Sequence, residues 1–132
     1  LPEVVIHARA GSLLVALAEE GMVENDIARM TLQHYLSQCT TEDTLLLGCT
    51  HFPVFKPLLS ALLPKGICVV DSAEATADAL KQALTQINGL NTRVSQGTVH
   101  YLVTDLVTRF ESIGAFFLGE PLNHAAIELV NV

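Results

Sequence analysis

The sequence has no basic run, no apolar stretch of membrane-spanning length and no cysteines at C-x-x-C spacing. Its 7 Lys and Arg residues stand singly against 14 Asp and Glu, giving a formal net charge of -7. Phosphate backbones and anionic bilayers are gripped by concentrated positive charge. Neither nucleic acid nor membrane is therefore an expected partner. The longest apolar stretch, around Leu58–Leu63, falls far short of the roughly 20 residues that cross a bilayer. No basic-then-apolar leader is visible. The chain opens on Leu1 rather than Met, which reads as a trimmed start or a segment of something longer. Internal repeats, low-complexity tracts and flexible linkers are not evident either. The 3 cysteines, Cys39, Cys49 and Cys68, are an odd number, which argues for reduced thiols and a cytoplasmic location.

What remains is apolar. Of 132 residues 50% are hydrophobic and 16% charged, enough for a buried core at the usual size of one domain. Val4–Ala8 (VVIHA) is a β-branched run and predicts a strand. Leu13–Glu20 begins a helix that stops at Gly21. Glu24–Gln38 has helical spacing, with Val23, Ile27, Met30 and Tyr35 near one face and Asn25 or Asp26 as cap. Thr44–Leu47 and Ile67–Val70 are continuous apolar runs, the form of strands buried on both faces. Pro53 opens a helix over Val54–Leu63, which Pro64 ends. Asp71 and Glu74 make a D-x-x-E capping pattern into a helix over Ala73–Ile87, stopped by Gly89. Thr98–Val103 predicts a third strand, Leu106–Leu118 a helix closing at Gly119, and Ala126–Val130 a short last strand. Strands alternating with helices predict an α/β fold, a parallel sheet with flanking helices.

In open parallel sheets ligands gather at the carboxyl ends of the strands. There the sequence places Gly48-Cys49-Thr50-His51 and, more weakly, Asp71-Ser72 and Thr104-Asp105. Free backbone N–H groups and a helix dipole beside Cys49 favour thiolate and suit a bound carboxylate. Gly48 lets the backbone turn sharply, Thr50 offers a hydroxyl, and His51 is placed to exchange a proton or hold substrate. The alternatives are a small buried thiol and a histidine satisfied by a neighbouring carbonyl. Cys49 and His51 lack a second ligand pair at zinc spacing, so no metal is expected. Cys68, inside an apolar strand, reads as core, and Cys39 as surface. His7, His34, His100 and His124 have no patterned partner and read as structural or solvent-facing.

LLLGCTHFP, with the downstream VVDSAEATA, resembles the C-terminal half of the glutamate racemase family. That family's pattern is close to L-x-L-G-C-T-H-Y-P-L, with Phe52 here replacing the tyrosine and Val54 the leucine. Its next strand ends in D-S-G, here Asp71-Ser72-Ala73. LLVALAEEG is similar to P-L-F-V-P-L-V-E-E-G, with Gly11-Ser12 where Cys-Pro is usual. YLVTDLVTRFESIGAFFLG resembles the late strand and final helix. The resemblance covers nearly the whole chain. It is specific for the aspartate/glutamate racemase superfamily, and its flanking segments favour glutamate.

The resemblance implies cofactor-independent racemisation. One cysteine thiolate takes the α-proton from one face of glutamate, and a second cysteine returns a proton from the other. Cys49 would be that second acid/base, Thr50 a substrate contact, and His51 a helper of Cys49 or a substrate contact. Glu19 aligns approximately with an acidic residue of the family, against the plainer reading of a solvated helix-end charge. The family's first cysteine, in an A-C-N-T-A-type segment, has no counterpart in these residues. An incomplete, racemase-like α/β fold is thus expected. Residues 1–70 would be the C-terminal part of one α/β domain, and 71–132 the chain's return to complete the other. Glutamate and the missing N-terminal half are the expected partners, and exposed sheet edges favour a homo-oligomer. The alternatives are a racemase of another amino acid such as aspartate, and a non-catalytic α/β remnant.

Overall fold

A computed structural model describes residues 3–37, 39, 41–93 and 97–131. The chain forms two compact units, Leu1–Asp71 and Ser72–Val132. In the first, α1 (Ser12–Glu19) and α2 (Asp26–Leu36) precede β1 (Thr44–Leu47). A 3₁₀ turn (Phe52–Phe55), α3 (Lys56–Leu62) and β2 (Cys68–Asp71) follow. In the second, α4 (Ser72–Gln86), β3 (Tyr101–Val103), α5 (Val107–Leu118), a 3₁₀ turn (His124–Ala126) and β4 (Ile127–Leu129) succeed one another. The strands pair in parallel as predicted, but in two separate two-stranded sheets, β1 with β2 and β3 with β4.

The core of the first unit comes from the i, i+3, i+4 stripe that a helix turns to one side. Leu14, Leu17 and Ala18 of α1 are buried, as are Ala28, Thr31 and Leu32 of α2. The same spacing recurs in Phe55, Leu58 and Leu59, across the 3₁₀ turn and α3. Phe55 is 1% exposed and Leu59 2%. These elements pack on one another, α1 on α2 and on the 3₁₀ turn, α2 on α3. Each large apolar side chain so enclosed contributes about 1.5–3 kcal/mol.

The buried face of α2 is not the one the sequence suggests. Ile27 and Met30 are 53% and 69% exposed, whereas Ala28 is fully enclosed. A small residue lets two helices approach closely, so contact distance outweighs side-chain size here. The cap is Asn25, whose side-chain oxygen accepts from the Ala28 N–H at 3.0 Å. Gln38, to which the sequence extends this helix, lies outside the described residues. α1 ends at Gly21 as predicted, with φ 68°, and the Met22 N–H reaches back to the Leu17 carbonyl at 2.8 Å. α4 stops differently. Asn88 takes the left-handed position at φ 53°, and Gly89, one residue later, donates to the Leu84 carbonyl at 2.8 Å.

The strands are shorter and wetter than expected. Leu46 is 69% exposed, and only Leu47 of β1 is buried. Cys68 is exposed rather than core, since β2 leaves that face open to solvent. Val4–Ala8 forms no strand: Val4, Val5 and Ile6 are 72%, 79% and 79% exposed. A β-branched run becomes a strand only where a neighbour accepts its ladder bonds. Polar contacts fasten it instead, His7 Nδ1 to Glu42 Oε1 at 2.8 Å and Arg9 to the Tyr35 carbonyl at 3.0 Å. In the second unit Tyr101 stacks obliquely on Phe110, and a Cβ on Gly114 would come within 2.7 Å of Leu122. Among the described residues of this unit Val103 is the buried hydrophobic one, and α4 and α5 bury none. His124 meets Glu111 at 2.6 Å, so His7 and His124 both have carboxylate partners that spacing did not reveal.

Phe55→Ala should destabilise the first unit by about 3–5 kcal/mol and Asn25→Ala by about 1 kcal/mol, whereas Met30→Ser should stay within about 0.5 kcal/mol, all read by urea denaturation. The hydrogen bond from His7, helped by the Thr41 and Glu42 N–H groups, holds the Glu42 carboxyl at about 2, below its usual 4.5. A depressed acid stabilises the fold above its unfolded value, and that contribution fades as pH falls toward the folded one. The Glu42 tether should therefore weaken between about pH 4.5 and 2. Carboxyl NMR titration of Glu42 should show its midpoint near 2 in the native chain and moving toward 4.5 in His7→Ala.

Candidate active site

β1 delivers the motif to the carboxyl edge of its sheet. Leu47, its last residue, is the register partner of Asp71, the last residue of β2. The chain leaves through Gly48 and turns at Cys49, whose carbonyl accepts from the Phe52 N–H at 3.2 Å. A Cβ at Gly48 would meet nothing within 4 Å, so within this chain the turn does not demand glycine. The regular helix begins only at Lys56. A 3₁₀ turn with Pro53 near its start stands between it and Cys49, so the α-helical N-terminal cradle expected from sequence is displaced from the thiol.

The side chains converge through His51. Its Nδ1 lies 3.7 Å from Cys49 Sγ and 3.5 Å from Thr50 Oγ1. Its Nε2 lies 3.4 Å from Glu19 Oε1. Cys49 and His51 are half-buried, and Thr50 is exposed. Thiol, hydroxyl and carboxylate are thus arrayed around one imidazole. A proton on Nε2 faces Glu19, which leaves Nδ1 to accept from Cys49 or Thr50. The geometry suits proton transfer at sulfur: a base beside the thiol, itself oriented by an acid.

Glu19 comes to this place through packing. It ends α1, whose start lies against the loop: a Cβ at Gly11 would come within 3.0 Å of Phe52 Cζ. Its carboxylate is 36% exposed, so it is neither a fully solvated helix-end charge nor a buried one. Sequence reasoning passed over a second pair. Lys56 Nζ forms an ion pair with Asp71 Oδ2, and the Asp71 side chain is 5% exposed. One signal was available, since a cation in a first helical turn opposes the helix dipole. Of the other strand-end candidates, Asp105 accepts from the Leu106 N–H at 2.7 Å and so caps its own turn. A shallow hollow of about 410 Å³ in the second unit runs past Thr98–Tyr101 and Glu120–Asn123. None of the residues around His51 lines it. Among the described residues no group of three or more His, Cys, Asp or Glu could hold a metal, and no helix is long and apolar enough to cross a membrane.

Comparison with known proteins gives one consistent result. No family model matches the chain. The glutamate racemase of Syntrophus aciditrophicus is 42% identical over 123 residues, 92% of this chain and 46% of that protein. That of Neisseria meningitidis serogroup C is 37% identical over 99% of this chain and 48% of its own length. Among solved structures, glutamate racemase from Thermus thermophilus in complex with β-chloro-D-alanine matches with a TM-score of 0.81 at 34% identity, over 92% of this chain and 46% of that one. Glutamate racemase from Francisella tularensis in complex with D-glutamate matches with a TM-score of 0.77 at 30% identity, over 90% and 44%. The chain spans about half the length of the relatives it matches, and it is similar to their C-terminal half.

If Glu19 orients His51, neutral His51 should carry its proton on Nε2. Nitrogen-15 NMR of the imidazole should show that tautomer dominant in the native chain and a mixture in Glu19→Ala.

Proposed function

We propose that this chain, similar throughout to the C-terminal half of glutamate racemase, supplies one of the two acid/base groups of a cofactor-independent glutamate racemase. The observation that carries this reading is the convergence of Cys49, Thr50 and Glu19 on His51 at one sheet edge. The sulfur at position 49 takes the α-proton from one face of glutamate as thiolate. A thiol of the complementary half delivers its own proton to the opposite face. Configuration inverts and the two sulfurs exchange protonation states; the reverse reaction runs the same path backwards. His51 accepts and returns the Cys49 proton, Glu19 holds the imidazole in register, and Thr50 donates its hydroxyl to the substrate. An α-C–H is a far weaker acid than a thiol, so carboxylate anchoring and fixed dipoles must supply most of the barrier reduction.

The rest of the proposal follows from two-base chemistry. Acids on opposite faces of one carbon cannot both come from Cys49, so the 132-residue chain alone does not racemise glutamate. Residues 1–70 furnish the C-terminal part of one α/β domain, and 71–132 complete the other, with the N-terminal half as their partner. Self-association through exposed sheet edges is the homo-oligomeric alternative to that partner. The physiological setting is cytoplasmic supply of D-glutamate for peptidoglycan.

Co-expression with the N-terminal half of a glutamate racemase should yield racemisation, with deuterium entering the α-position in heavy water. Cys49→Ala should lower it by about 10²–10⁴-fold. Cys49-dependent conversion by the lone chain would contradict the two-half requirement. Faster turnover of aspartate than of glutamate by the pair would shift the substrate assignment.

A further inference from the structure

The ion pair between Lys56 and Asp71 has no part in the proton chemistry above, yet its position is particular. The Asp71 side chain is 5% exposed and that of Lys56 47%. A carboxylate so enclosed is unfavourable without a counter-charge. An ammonium in the first turn of α3 faces the positive end of the helix dipole, so it too is better placed with a counter-charge. Asp71 is also the register partner of Leu47, where β1 ends. Lys56 is the first residue of α3. Between Leu47 and Lys56 run residues 48–55, which carry Cys49, Thr50 and His51. Both ends of that segment are therefore fastened to one residue, the near end through the β1–β2 pairing and the far end through the ammonium.

We propose that Lys56 and Asp71 are positioning residues for Cys49: their ion pair closes the segment and sets the approach of the thiol to the His51 imidazole. The inference rests on reading Cys49 and His51 as a proton-handling pair. The β1–β2 ladder holds the near end, and the buried Phe55, Leu58 and Leu59 hold the apolar side of the far end. The ion pair adds the polar tie that fixes how the far end is turned toward the strand ends. With the pair intact, both ends are also tied to a common residue, and the conformational range left to the loop by the apolar packing contracts further.

Cys68 provides an internal reference, because it is exposed on β2 itself. The test is the alkylation rate of each cysteine by iodoacetamide in the full chain at a fixed near-neutral pH, resolved by peptide mass spectrometry. Lys56→Met should slow Cys49 on the order of tenfold and leave Cys68 unchanged. Lys56→Arg should restore Cys49, and Asp71→Asn, which keeps the side-chain shape, should reproduce the loss. In a His51→Ala background Lys56→Met should have no further effect, since the contact it sets is already gone. If Lys56→Met fails to fold by circular dichroism, Asp71→Asn answers the same question. Parallel change of both cysteines in a folded variant, or no change at Cys49, would overturn the proposal. Native Cys49 insensitive to His51→Ala would instead sink the proton-pair reading itself, so the two failures are distinguishable.

Discussion

The arrangement around His51 depends on one packing constraint: α1 must lie against the 3₁₀ turn that follows Cys49. Glu19 and His51 are far apart in sequence, and no β ladder joins them. What joins them is Gly11 against Phe52, together with the packing of α1 on the 3₁₀ turn that carries the buried Phe55. These contacts fix the direction in which α1 runs, and the carboxylate at its end then falls 3.4 Å from the imidazole. The polar constellation is a consequence of an apolar interface. Bulk added at position 11 would meet the Phe52 ring and the Leu14 side chain first, and no polar atom.

What the sequence made legible was local. LLLGCTHFP names the residues of the strand-end loop because their chemistry is adjacent in the chain, and parallel pairing places that loop at a sheet edge. Helix ends were equally readable at Gly21 and Gly119, where the left-handed position is filled by glycine. At α4 it is filled by Asn88, a residue that tolerates that conformation through its short polar side chain, so the stop fell one residue from where glycine suggested. Illegible was whatever required knowing which surface faces which. The buried side of α2 turned on Ala28 rather than on Ile27 or Met30, a fact about interhelical distance. The Lys56–Asp71 pair joins a helix start to a strand end. A lysine at a helix start hints at a counter-charge, but neither spacing nor composition identifies Asp71 as that counter-charge.

The failure of Val4–Ala8 to form a strand and the exposure of Cys68 share one cause. A hydrophobic run reads as buried because apolar side chains leave water when a surface exists to receive them. Sequence supplies the side chains, but the surface must come from neighbouring elements. Two-stranded sheets offer little of it, and isolated pairs of short strands are marginal without a helix or further strands against them. Leu46, Leu102 and Leu129 are accordingly 69%, 65% and 58% exposed on strands whose composition is that of interior sheet. A chain spanning about half the length of its relatives would leave such surfaces bare if the other half normally covers them.

In the proposed reading, the partial span falls unevenly on structure and chemistry. The first unit keeps its own core around Phe55, and with it the relation among Glu19, His51 and Cys49, because those residues are held by helices within the same unit. In the proposed reading the lost elements are those the chemistry needs on the far side of the substrate carbon, namely a second thiol and the rest of the carboxylate anchors. On that reading the chain keeps a poised acid/base group, and the reaction calls for a second one from outside it. Orientation of a proton carrier is set by packing within one unit, whereas inversion at carbon, as proposed, needs a second proton carrier on the opposite face of that carbon.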